Sequence, residues 1–164
     1  MIIDSHCHLT YEPMLSSLEE TIKRANKDGV EFLLTISTED KSFRNILDIL
    51  DKYKCVYGSY GIHPHEAKQH KGIKFENIIE KVKQNKKIIG IGETGLDFYY
   101  NHSEKKDQIE SFLEHIEASQ KTNLPIIVHT RSAEGETFEI LQKAVKKNNL
   151  KILIHCFTSS KDYA

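Results

Sequence analysis

Two histidines one residue apart, His6 and His8 in "DSHCH", close the apolar opening run "MIID". Side chains on a strand alternate between its faces, so the two imidazoles point one way and Cys7 the other. Two imidazoles projecting from one strand end can grip a single metal ion. Taken alone, such a pair reads more simply as surface or hydrogen-bonded histidines. The other histidines shift that balance. Of the nine in the chain, five (His6, His8, His63, His129 and His155) stand at the ends of apolar runs, whereas His70, His102 and His115 fall on what read as helix faces.

Further groups with chemical potential follow the same placement. "GIGETG" at 90–95 matches the dinucleotide-binding fingerprint, but "LDFYYNH" comes next instead of a helix, and Glu93 would set a carboxylate beside a pyrophosphate. The cofactor reading fails. Gly90, Gly92 and Gly95 instead allow close backbone approach around Glu93, whose carboxylate can bridge two cations, although in isolation it reads more simply as an exposed turn residue. Asp97 is either an orienting partner of a ligand or a loop cap. In "GIHPHEA", Pro64 holds the chain extended or in a turn; His63 is a ligand, a substrate contact, an acid/base group or a solvated loop residue, and for His65 the last reading is the simplest. "IIVHTRS" ends in His129 and Arg131, whose planar guanidinium suits a phosphate or carboxylate, with a surface salt bridge as the plain alternative. "ILIHCFTSS" stops an apolar run with His155, for which a satisfied core histidine is the plain alternative.

The elements that must position these groups alternate along the chain. Short apolar runs at "MIID", "VEFLLTIS", "KCVYGSYGIH", "KIIGIG", "LPIIVH" and "KILIHCF" are separated by amphipathic segments with apolar residues near i, i+3, i+4 and i+7. Several of those segments end in Gly or Asn. This rhythm predicts six βα units and a mainly parallel sheet, because each parallel connection needs a crossover of a dozen or more residues. The candidate ligands stand at the carboxyl ends of all runs but the second, which favours the mouth of a (β/α) barrel over a doubly wound sheet.

Composition narrows the class. Lys and Arg number 23 against 24 Asp and Glu, a net charge of -1, so no overall basic field draws in nucleic acid and any polyanion contact is local. Three cysteines without a C-x-x-C pair fit a reducing compartment. Neither a secretory leader nor a membrane-length apolar run is present, so the expectation is a cytoplasmic chain with no membrane partner.

"DSHCHL", "GIHPHE", "IGIGETGLDFYY", "PIIVHTR" and "ILIHCFT", in this order, resemble the TatD family of metal-dependent hydrolases within the amidohydrolase-like barrels. The resemblance runs from the first residues to the last. It implies a TIM-type barrel and a two-metal deoxyribonuclease, an exonuclease acting on single-stranded or terminal DNA. It also implies a ligand set: His6 and His8 on one ion, Glu93 bridging, His129 and His155 on the other, with His63 and Arg131 lining the substrate phosphate. Ser132 stands where the family often has an acidic residue. Zinc and manganese suit imidazole and carboxylate donors, and magnesium less well. An ion pair of this kind acidifies water and stabilises charge on the attacking and leaving oxygens.

Family members continue past the sixth strand with two more βα units and a metal-binding aspartate near strand seven. The expectation is therefore a single hydrolase domain over 1–164, truncated after the sixth strand, with about six of eight βα units and two open sheet edges. "SSKDYA" would begin a sixth helix. Such a chain would oligomerise or bind a complementing C-terminal fragment. Two other functions fit the same residues: a metal-dependent ester or amide hydrolase, such as one that deacylates aminoacyl-tRNA, and an inactive remnant serving as an interaction module.

Overall fold

A computed structural model describes residues 1–147 and 149–161. Six strands, β1 (Ile2–Cys7), β2 (Val30–Thr35), β3 (Val56–Tyr60), β4 (Ile88–Asp97), β5 (Ile126–Arg131) and β6 (Ile152–Ile154), form one sheet in sequence order. Every neighbouring pair is parallel. The connections carry α1 (Leu18–Lys27), α2 (Asp40–Lys52), α3 (Phe75–Val82), α4 (Lys105–Thr122) and α5 (Glu134–Lys147). The result is the expected α/β architecture, a curled, open part of a (β/α) barrel with β1 and β6 as its edges. Residues 162–164 of the expected sixth helix lie outside the described residues. No helix among the described residues is long and apolar enough to cross a membrane.

Local chemistry accounts for the helices. Glu19 and Glu20 occupy the first turn of α1 and Arg24 and Lys27 its last, matching the helix dipole at both ends. α2 turns Phe43, Ile46, Ile49 and Leu50 into the core. Its end is fastened by Lys87, whose Nζ donates to the carbonyls of Leu50 and Tyr53 at 2.7 and 2.6 Å. α4 stops at Asn123, which adopts the left-handed conformation (φ 58°) that asparagine tolerates. One apolar cluster joins α2, α3 and the first four strands, and a second joins α4, α5 and β5. The sheet is thus clad on its outer face, and its strands read as nearly continuous apolar runs.

Two elements differ from the sequence expectation. β4 runs on through "ETGLD" to Asp97, so Glu93 lies within the strand and not at its end. The chain after β3 forms a short 3-10 helix, Pro64–His70, with Pro64 at its first position, where the missing N–H costs nothing.

Candidate metal centre

The site assembles at the carboxyl ends of the strands. His6 lies in β1 and His8 just past it; their rings meet edge to face at 5.1 Å. Cys7 points away, its Sγ donating to the Leu34 carbonyl at 3.4 Å. Burial pushes its thiol up to about 12, so Cys7 stays protonated and offers no thiolate.

Glu93 is the hub. It is only 3 % exposed, and the β4–β5 ladder breaks register between Ile91 and Thr94 to accommodate it. Gly92 (φ 137°) and Gly95 (φ 139°) flank it, and a Cβ on Gly95 would overlap the His129 carbonyl oxygen. The close approach expected of these glycines is therefore real. β2 brings no ligand side chain, but the Ser37 carbonyl just beyond it accepts the Glu93 N–H at 2.9 Å.

Four imidazoles from four other segments converge on this carboxylate. His6 Nε2 lies 3.2 Å from Oε2; His155 Nε2, His129 Nδ1 and His63 Nε2 lie 2.8, 3.0 and 3.8 Å from Oε1. Burial alone would raise the Glu93 pKa, but the hydrogen bonds from His129, His155 and His6 outweigh it and hold the group far below the usual carboxylate range. Glu93 is an anion at every ordinary pH.

His63 caps the 3-10 helix, its Nδ1 accepting the His65 N–H at 3.2 Å, which leaves Nε2 to face Glu93. Burial pushes its pKa down to about 3, so the ring is neutral, with its one proton on Nε2. Burial likewise lowers that of His8. His129 behaves oppositely. Its burial is outweighed by carboxylates on both ring nitrogens, Glu93 at Nδ1 and Asp97 at Nε2 (3.2 Å), and its pKa is raised.

Asp97, left undecided between two roles by its sequence context, is 1 % exposed. Its Oδ2 takes both His65 Nε2 (2.8 Å) and His129 Nε2, and its Oδ1 accepts the Tyr99 and Tyr100 amides. His65 is accordingly no solvated loop histidine. The signal lay in the period of two: Glu93, Gly95 and Asp97 share one side of a strand, legible once β4 is extended through them. Arg131 is exposed and makes no salt bridge among the described residues; its guanidinium lies over the rings of Tyr99 and Tyr100, 4.3 and 4.9 Å from their centroids. His102 sits in a bend beside His65, and His115 is fully buried on α4.

The donors suit a divalent cation. His6, His8 and Glu93 form one group whose ligand atoms lie within 4.8 Å of one another, and His63, Glu93 and His129 form another. His155 falls outside both groups while touching the shared Glu93. Nδ1 of His6 and Nδ1 of His8 are buried without a hydrogen-bond partner, while His6 Nε2 faces Glu93. Buried, unbonded imidazole lone pairs beside an anion are the arrangement that an ion relieves. A cavity of about 350 Å³, lined by His8, Tyr11, His63, His65, His129 and His155 among others, opens over the cluster.

Comparison with known proteins fits this geometry. The chain is 38% identical over 165 residues to an uncharacterized metal-dependent hydrolase of Buchnera aphidicola subsp. Acyrthosiphon pisum, covering 96% of this chain and 62% of that protein. It is 32% identical to the uncharacterized metal-dependent hydrolase YcfH of Escherichia coli K12 (99% and 61% covered). It is 27% identical to a protein of Shigella flexneri named 3'-5' ssDNA/RNA exonuclease TatD (98% and 61% covered). The chain thus spans about three fifths of the length of these relatives. The crystal structure of the TatD homologue YjjV from Escherichia coli K12 superposes with a TM-score of 0.85 at 24% identity, over 99% of this chain and 62% of that one, and so shares its fold. The model of the TatD related DNase family matches residues 3–164, and this chain, with its metal-dependent hydrolase relatives, belongs to that family.

Proposed function

We propose that this chain carries the main part of a metal-dependent phosphodiesterase site acting on DNA, a TatD-like deoxyribonuclease that trims single-stranded or terminal ends. The observation that carries this reading is the convergence of His6, His63, His129 and His155 on the single buried carboxylate of Glu93, with His8 beside it. Two divalent ions sharing Glu93, zinc or manganese before magnesium, fit the donors; when bound, they supply Lewis acidity that acidifies water and offsets phosphoryl charge. One ion falls to His6 and His8. The other falls to His129 with His155, or with His63, which stands in the second ligand group.

The protein's own groups do the rest. Glu93, anionic and immobile, keeps the donors on a common point and holds the negative charge that cations require. Asp97 fixes the ring of His129 through Nε2, leaving Nδ1 turned toward Glu93. The Arg131 guanidinium lies over the rings of Tyr99 and Tyr100, and its fork of N–H donors suits a phosphate edge. Further strands along β1 and β6, from a longer chain, a fragment or another copy, belong to the same reading as completion of the barrel.

The test measures bound metal and hydrolysis of a single-stranded oligodeoxynucleotide with Mn²⁺ or Zn²⁺, for the chain and for Glu93→Ala, with an aminoacyl ester as the competing substrate. The reading expects metal-dependent cleavage of the oligonucleotide and loss of both metal and cleavage in the variant. Equal activity of the variant, or turnover of the ester alone, overturns it.

A further inference from the structure

The residues that follow β4 have no part in holding an ion, yet they are fastened to the cluster. The amides of Tyr99 and Tyr100 both donate to Oδ1 of Asp97, at 3.0 and 3.1 Å, while the other oxygen of that carboxylate serves His65 and His129. A backbone pinned in this way does not wander. Its rings nevertheless face solvent, Tyr99 at 59 % and Tyr100 at 40 % exposure. They meet edge to face at 4.7 Å, and the Arg131 guanidinium covers part of both. Tyr100 stands edge-on to His65 at 5.5 Å, and His65 lies 6.4 Å from His129. Tyr100 is thus one ring removed from the ligand cluster, and Tyr99 two.

Rigid, open aromatic surface beside a phosphate-holding site is suited to a planar ring. Tyrosine has only two rotatable side-chain bonds, and with the backbone already fixed little freedom remains to be lost on stacking. Each nucleobase has a π-face, so such a surface accepts single strands with little sequence preference. The chain as a whole carries a net charge of -1, so no overall basic field holds a strand and stacking would add to what local contacts supply.

We propose that Tyr99, Tyr100 and Arg131 form a stacking subsite for the nucleobase that flanks the phosphodiester held at the Glu93 cluster. This rests on the phosphodiesterase reading above. The tyrosines hold the base, and the edge of Arg131 remains for the adjoining phosphate.

The experiment uses the Zn²⁺-loaded chain and probes whose linkage is a phosphorothioate, so that binding is read with hydrolysis suppressed. The probes are a deoxydinucleotide carrying the fluorescent base 2-aminopurine and its abasic counterpart. Expected results are quenched fluorescence in the complex and a loss of affinity of about 5-fold or more for Tyr99→Ala and Tyr100→Ala, with the quench removed. The Phe variants keep both properties, and the abasic probe binds wild type and alanine variants alike. Equal affinity of wild type for intact and abasic probes, or a quench that survives both alanine substitutions, overturns the subsite. The two readings separate cleanly. Oligonucleotide cleavage by a chain that shows no quench removes the subsite and leaves the nuclease; a quench removed by the alanine substitutions in a chain that cleaves nothing with Mn²⁺ supports the subsite and removes the nuclease.

Discussion

The imidazoles of His6 and His155 stack face to face, 3.9 Å between centroids and 7° between planes, although they belong to β1 and to the end of β6, the opposite edges of the sheet. Edges with four strands between them come together only if the sheet curls, and here they meet at the carboxyl ends, where each ring also reaches Glu93. The curvature of the barrel is thus what turns residues 149 positions apart (155 minus 6) into neighbours. It also makes the centre sensitive to groups that merely hold the rings in place.

Asp97→Asn is the sharpest probe of such a group. The amide keeps the shape but removes the charge that orients His65 and His129. Loss of an outer partner of this kind weakens metal affinity about 10- to 100-fold. Calorimetric titration with Zn²⁺ is expected to show that loss, with the circular dichroism of the fold unchanged. Undiminished affinity would remove Asp97 from the orienting role.

Metal uptake is expected to release protons. Glu93 and Asp97 raise the pKa of His129 against the effect of burial, which favours the protonated ring before an ion arrives, and a ligand nitrogen must give up the proton it carries. The release should be seen as a difference in binding heat between buffers of unequal ionisation enthalpy. Identical heats in such buffers would contradict the assignment of His129 as a ligand.

His115 should make the fold acid-sensitive. It is fully buried, its Nδ1 donating to the Ser111 carbonyl (2.7 Å) and its Nε2 accepting the Ile62 N–H (3.1 Å), and burial pushes its pKa from 6.5 to about 4. The folded value is depressed, so the stabilisation is complete above the unfolded value and is lost as the pH falls from about 6.5 through about 4. That gap corresponds to about 3 kcal/mol. Urea unfolding of the chain and of His115→Gln should show a steeper loss with acid in the wild type across this window. The His129 contribution has the opposite sign: present below 6.5, lost as the pH rises through its raised folded value.

Gly95→Ala should be among the most damaging single-methyl additions. The residue holds φ at 139°, and the new carbon would collide with the His129 carbonyl, which is backbone and cannot step aside. A loss of about 2–4 kcal/mol is expected, read as a lower denaturation midpoint. Gly135→Ala is the control, since nothing lies within 4 Å of the added carbon.

Much of this was legible in the amino acids. Parallel strands covered on one side by helices and curled on the other leave continuous apolar runs, and each of the six was visible with its helix between. His6, His8, His63, His129, His155 and Glu93 are brought together in the structure, because strand ends of a barrel share one mouth whatever their separation in sequence. What did not show was set by local irregularity. β4 breaks register at Glu93, which made the strand seem to end at its glycines and hid Asp97 on the same face. His115 carries no mark of burial, since a helical pattern tells which face a residue is on but not that a backbone amide from another segment awaits it. The embrace of Arg131 by Tyr99 and Tyr100 depends on how a loop folds back, for which periodicity offers no rule.

β6 presents its outer backbone groups beside a groove lined by Phe138, Leu141, Val145, Ile152 and Ile154. That flank is adhesive by construction: hydrogen-bonding capacity and greasy surface lie side by side, running the length of a strand. Polypeptide settling along that flank would extend the half-cylinder toward closure around the rim that carries the histidines.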